Sequence, residues 1–132
     1  MNERARVTAK EIFEQALPAI LSGGVADLLG RCAGDVIFEF PFAPVGRPRR
    51  LEGREQVRAY LDAVYSRLRI EGLTSLKIHE TTDPAVVIAE MALQITLRDG
   101  PTREAAYVEV VTVRDGQIAH IREYWSPLAL AN

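Results

Sequence analysis

The stretch Thr102 to Pro127, TREAAYVEVVTVRDGQIAHIREYWSP, decides the fold. It reads as two long strands joined at Arg114-Asp115-Gly116, because β-branched and apolar residues crowd both arms and Asp-Gly is a strong hairpin signal. The residues that break the apolar pattern matter most. On a curved sheet with a hollow inside, Tyr107, Glu109, Glu123 and Trp125 share the inner face. Carboxylates among aromatic and aliphatic side chains make a reactive pocket.

The turn sets which side chains meet. A two-residue loop at Asp115-Gly116 opposes Glu109 to Arg122, and a three-residue loop with Gly116 left-handed opposes Glu109 to Ile121. A slip of one residue moves every side chain to the other face. Side-chain chemistry favours the three-residue loop. Ala119, Ile121, Glu123 and Trp125 then face inward with Tyr107, Glu109, Val111 and Val113, while His120, Arg122 and Tyr124 face outward.

Upstream of this hairpin the breakers Asp83-Pro84 and Asp99-Gly100-Pro101 delimit two more strands, roughly 73–82 and 85–98. With 102–113 and 117–125 they form an antiparallel meander, since such short connections cannot cross over. The N-terminal half is helical with one strand. Thr8 and Glu11 have capping-box spacing, and Ile12, Phe13, Ala16, Leu17, Ile20 and Leu21 form a stripe that Pro18 interrupts and Gly23-Gly24 ends. A short helix follows over about 25–31, and the glycine pair between the two helices suits a lid. The strand DVIFEFPF spans Asp35 to Phe42, and the proline-rich 41–48 is a stiff loop. Arg47, Arg49, Arg50 and Arg54 cluster behind it, either as a solvated rim or as an anion clamp at a pocket mouth. A third helix over 53–68 carries Val57, Tyr60, Leu61, Val64 and Leu68, with Gly72 closing it. Helices and sheet are segregated, so the class is α+β, a single domain over residues 1–132.

Composition narrows the partners. A formal charge of −2 gives no field for nucleic acid or an anionic membrane. No segment approaches the ~20 apolar residues that span a bilayer, and the charged start MNERARVTAKE is unlike a signal peptide. Lone Cys32 forms no internal disulfide and, with only His79 and His120, no zinc spacing, which fits a reducing cytoplasm. No phosphate loop, dinucleotide fingerprint or metal cluster is present, so neither cofactor nor metal is expected.

DVIFEFPF followed by LEGREQVRAYL, and the closing VRDGQIAHIREYWSPL, resemble the nuclear transport factor 2-like superfamily over roughly residues 8–128, particularly its SnoaL-like and ketosteroid-isomerase-like members. The last strand is similar to the phenazine-biosynthesis A/B branch. The resemblance implies a cone-shaped curved sheet enclosing a pocket, and a homodimer through the outer sheet face. It implies that Glu90, Ala92, Gln94 and Thr96 line the cavity while Met91, Leu93, Ile95 and Leu97 face a partner. The general base of ketosteroid isomerases falls at Phe40, and their enolate-binding Tyr falls near Ala16, which argues against steroid isomerisation in its familiar form.

The expected function is cofactor-free acid–base isomerisation or cyclisation of a small hydrophobic carbonyl compound. Glu123 and Glu109 are the candidate catalysts, because burial raises a carboxyl pKa towards neutrality. Phe38, Phe40, Tyr60, Glu90, Gln94, Tyr107, Ile121 and Trp125 are the candidate binding residues. The competing expectation is a non-catalytic ligand-binding or dimerisation module of the same fold.

Overall fold

The computed structural model describes residues 7–126. The elements run α1 (Ala9–Ser22), α2 (Val25–Gly30), β1 (Cys32–Glu39), β2 (Arg50–Glu52), α3 (Arg54–Arg67), β3 (Leu68–Glu80), β4 (Val86–Leu97), β5 (Thr102–Arg114) and β6 (Gln117–Trp125). Six strands form one sheet in the order β2-β1-β6-β5-β4-β3. Only β1 and β6 pair in parallel. The N-terminal residues 1–6, and the closing Pro127 of the sequence-read hairpin, lie outside the described residues.

Helix α1 starts as its sequence dictates. The Thr8 hydroxyl accepts from the Glu11 backbone N–H (3.2 Å), and the Glu11 carboxylate accepts from the Thr8 N–H (2.9 Å). The helix accommodates Pro18 and ends at left-handed Gly23. Ile12, Phe13 and Ala16 of α1, with Leu28 and Leu29 of α2, are buried in the main core. The two helices are therefore core elements rather than the expected lid, because nearly all their apolar residues face the sheet.

Three boundaries differ from expectation. Strand β1 begins at Cys32, not Asp35, and Phe40 leaves the ladder while its N–H still bonds the Arg49 carbonyl (2.9 Å). The sequence reading missed β2, since three residues, two of them charged, give almost no periodic signal. Helix α3 passes directly into β3 at Leu68, where the backbone turns extended. Gly72 is thus not a helix terminator but part of β3, between register shifts at Ile70/Gly72 and Leu73/Ser75. Such bulges bend a strand, which curves this edge of the sheet. Cross-strand partners capture this segment: Leu68 opposes Leu97, and Ile70 opposes Ile95.

The terminal hairpin also departs from expectation. Asp115 (φ 53°) and Gly116 (φ 77°) form a two-residue turn with both central residues left-handed, and Arg114 opposes Gln117. Extrapolated without interruption, that register would bring Glu109 to Arg122. A bulge at Ala119 intervenes, because Val113 pairs with Ile118 but Thr112 pairs with His120. Beyond it Val111 faces Ile121, Glu109 faces Glu123, and Tyr107 faces Trp125. The inward set is close to the expected one, by a different route. Ile118 takes the inner position assigned to Ala119, and Glu109 meets Glu123 rather than Ile121.

Among the described residues no helix is long and apolar enough to cross a membrane.

Gly53, where β2 turns into α3, has φ 88° and ψ 158°, a region open essentially to glycine alone. A Cβ there would meet nothing nearer than the Gly34 carbonyl oxygen at 3.8 Å, so its cost is conformational. Gly53→Ala is expected to lower unfolding free energy by about 1–3 kcal/mol. Urea denaturation checks this, and an unchanged midpoint would refute it.

Candidate functional site

The concave face of the sheet and helices α1 and α3 enclose a cavity of about 290 Å³. Its apolar wall comes from Leu61 and Val64 of α3, Leu68 and Ile70 of β3, and Met91, Leu93, Ile95 and Leu97 of β4. The β4 faces are therefore the reverse of the expectation. Leu93 is 4% exposed and Ile95 1% exposed, so burial of apolar area decides the orientation in the ordinary way. Glu90 and Gln94 point to the outer face and are withdrawn as pocket residues. There the Glu90 carboxylate meets His79 Nε2 at 2.6 Å, and Gln94 sits opposite Gly72 and Glu104.

The polar wall is built by β5 and β6. Glu109 and Glu123 sit directly across from one another on the inner face and share a hydrogen bond. Glu109 is 7% exposed, the only charged residue in the core among the described residues. Glu123 is half-buried and lines the cavity. Burial pushes both carboxyls above their ordinary value. Glu109 rises furthest, because the negative charge of Glu123 opposes its ionisation, whereas the bond from Glu109 holds Glu123 down. The two carboxyls therefore titrate as a pair, with the proton favoured on Glu109, the more deeply buried of the two. No cation contributes to either shift.

Three phenols surround this pair. Tyr60 and Tyr65 are pushed up to about 12 by burial and then by the negative charge of Glu123. Tyr107 is raised by the same causes. All three keep their protons and can donate. The Tyr65 hydroxyl already donates to the Ile20 carbonyl at the end of α1 (2.7 Å). Tyr60 and Tyr107 have no such hydrogen bond to other described residues. The Tyr60 ring leans on Phe40, with centroids 4.8 Å apart.

The structure thus gathers Glu109, Glu123, Tyr60, Tyr107 and Trp125 around one cavity. It places Phe38, Phe40 and Ile121 elsewhere. They are 6%, 2% and 4% exposed and belong to the core beneath the cavity, so their expected role as pocket walls is corrected to one of support. Sequence reasoning missed Tyr65, although it stands four residues after Leu61 on the buried side of α3. It also missed Arg67, for which the sequence holds no signal. The arginine cluster disperses: Arg49 bonds the Pro41 carbonyl, Arg50 pairs with Glu39 and Glu52, and Arg54 bonds the Cys32 carbonyl. Only Arg47 of that group reaches the cavity. Among the described residues no group of three or more His, Cys, Asp and Glu side chains could hold a metal ion.

The SnoaL-like domain family matches residues 13–121. The chain belongs to that family. Among curated relatives, the uncharacterized protein YesE of Bacillus subtilis is 31% identical over 97 residues, 73% of this chain. The match spans 66% of YesE, just under two thirds of that relative's length. An uncharacterized PhzA/B-like protein of Pseudomonas aeruginosa is 31% identical over 92% of this chain and 86% of its own. A candidate isomerase from Bacillus subtilis superposes with a TM-score of 0.86 at 27% identity, covering 98% of this chain and 93% of its own. Candidate polyketide cyclases share the fold at 17–20% identity. The nuclear transport factor 2-like fold expected from the sequence is the fold of this SnoaL-like protein.

The proton shared by the glutamates links stability to pH. Folding raises the pair's proton affinity above the ordinary 4.5, so the folded chain keeps a proton that the unfolded chain releases as pH passes that value. This contribution is complete below pH 4.5 and is lost as pH rises through the folded value. Glu109→Gln retains its hydrogens at every pH. Its stability relative to wild type is expected to climb with pH above 4.5 by up to about 1.4 kcal/mol per pH unit, read from urea midpoints between pH 5 and 8. A pH-independent difference would mean that no proton is retained.

Proposed function

We propose that this protein binds a small, mostly apolar carbonyl compound in the cavity and moves a proton on it without a cofactor. The single observation that carries this reading is the hydrogen-bonded carboxyl pair on the wall of a mostly apolar cavity, with no cation contributing to the shift of either group. A carboxyl pair whose proton affinity is raised in this way can both accept and return a proton. A cavity of about 290 Å³ is near the lower end of small-molecule sites and suits one or two rings.

In this reading the Glu123 carboxylate removes a proton from the carbon beside the carbonyl. Tyr60 or Tyr107 donates a hydrogen bond to the oxygen that becomes enolate. The proton on Glu123 then returns to another carbon, which isomerises the compound, or, where the enolate carbon attacks a second carbonyl of the same molecule to close a ring, to the alkoxide oxygen left as that C=O π bond breaks. Glu109 keeps its own proton and tunes Glu123. The leucines, isoleucines and methionine of β3 and β4 exclude water, which strengthens each of these interactions. The relative described as a candidate isomerase supports the reaction class.

A second reading, a binding module without catalysis, is favoured by Phe40 and Ala16. At 2% and 0% exposed, these residues fill the two positions where the resemblance places the base and the enolate donor of ketosteroid isomerases. Proton exchange separates the two readings. In heavy water, 2-tetralone should gain deuterium beside its carbonyl faster with the protein than with buffer. Glu123→Gln should cut that excess at least 100-fold, in line with the usual contribution of a general base. Absence of any excess with the unmodified protein would leave the binding module.

The same proposal includes a homodimer through the outer face of the sheet. Its apolar support is Ile88, Ala92, Ala106 and Val108, not the inward Met91, Leu93, Ile95 and Leu97. Sedimentation equilibrium at micromolar concentration should give twice the chain mass, and Val108→Asp should restore the monomer. A monomeric wild-type protein removes the dimer.

A further inference from the structure

The cavity carries side chains of both charges. Its glutamates answer to burial and to each other, not to any cation. Arg47 and Arg67 line the same cavity, and both act on the Tyr60 hydroxyl, which they hold down against the raising effect of Glu123. Tyr60 is therefore under the influence of both the glutamates and the arginines of the cavity. The two arginines arrive independently, Arg47 from the proline-rich loop and Arg67 from the last position of α3. Helix-end electrostatics accounts for a cation at Arg67 but not for a second one brought to the same cavity by a loop. Among the described residues neither side chain forms an ion pair, although Arg50, Arg58, Arg69 and Arg114 all do. An open groove continues from the cavity past Arg67 and carries Arg98 and Asp99 in its lining.

We propose that the ligand is an amphiphilic anion, a small apolar ring compound bearing a carboxylate, with the carboxylate held by Arg47 and Arg67 at the mouth and the ring directed between Leu93 and Ile95 towards Glu123. This assignment rests on the reading of the cavity as a small-molecule site and adds the chemical class. Guanidinium forks match carboxylate geometry, and charge-assisted bonds are about twice as strong as neutral ones. They also fix orientation. An anionic group is repelled from the glutamates, so the ring enters with its charge trailing and its reactive carbon leading.

Calorimetric titration with two probes of one ring system tests this, 2-naphthoate against the neutral 2-acetylnaphthalene. Naphthoate is expected to bind about tenfold more tightly, and the ratio of the two affinities should collapse to near one in the Arg47→Gln, Arg67→Gln double variant. Taking the ratio within each protein cancels any general damage to the cavity. Both side chains are at the surface, and a thermal melt confirms that the variant is folded. Binding of both probes with a ratio near one in wild type overturns the anion assignment and leaves the small-molecule reading standing. A high ratio that survives the double variant overturns the role of these arginines. Failure of both probes to bind removes the small-molecule reading, and the anion assignment with it.

Discussion

The candidate site of this molecule depends on the pairing of β5 with β6. The tight turn at Asp115-Gly116 on its own would set a glutamate against an arginine, an ordinary cross-strand ion pair of modest value. One extra residue at Ala119 sets carboxyl against carboxyl instead. The bulge also returns Ile121, Glu123 and Trp125 to the concave side, where Val111, Glu109 and Tyr107 await them. A change in backbone register, not in side-chain identity, turns a cross-strand ion pair into a coupled carboxyl pair on the cavity wall.

That arrangement is expensive in stability. Two carboxyl groups lose hydration, and no cation compensates them. Sharing a proton removes one charge, and the hydrogen bond between the groups satisfies part of what remains. The rest must come from packing. Beneath the pair, Val36, Phe38, Val111 and Ile121 form a continuous buried layer with α1 and α3, and it holds the strands against relaxation. Beside the pair, Tyr65 ties the end of α1 to α3 through the Ile20 carbonyl. Apolar packing thus supports a polar site that would not persist on a free hairpin.

Much of this was legible in the residues. Thr8 and Glu11 announced α1, the Asp-Gly and Asp-Pro pairs marked the strand ends, and the alternation in VEVVTV placed Glu109 on a face with Val111 and Val113. The inward position of Glu123 could be read as well, because only that choice buries Ile121 and Trp125 together. What could not be read was anything that depends on a backbone irregularity. A bulge leaves no mark in side-chain periodicity, so both the turn length and the partner of Glu109 were misassigned. The faces of β4 failed for a different reason. The apolar set Met91, Leu93, Ile95 and Leu97 signalled the interior plainly, and an expected dimer interface was allowed to outweigh it. Arg67 could not be found in advance, because its position depends on α3 ending without a loop.

The contact between Phe40 and Tyr60 constrains the history open to this chain. In the ketosteroid isomerases it resembles, the position of Phe40 holds a carboxylate base. Restoring one here would take a bulky ring out of a packed layer, a change of the kind that costs about 3–5 kcal/mol in other cores. It would also add a negative charge near two carboxyls that already share one proton, and it would remove the surface on which Tyr60 rests. The ring at Phe40 therefore shuts a carboxylate out of that position, and changes at the walls and mouth of the cavity disturb the packed layer less than changes beneath it.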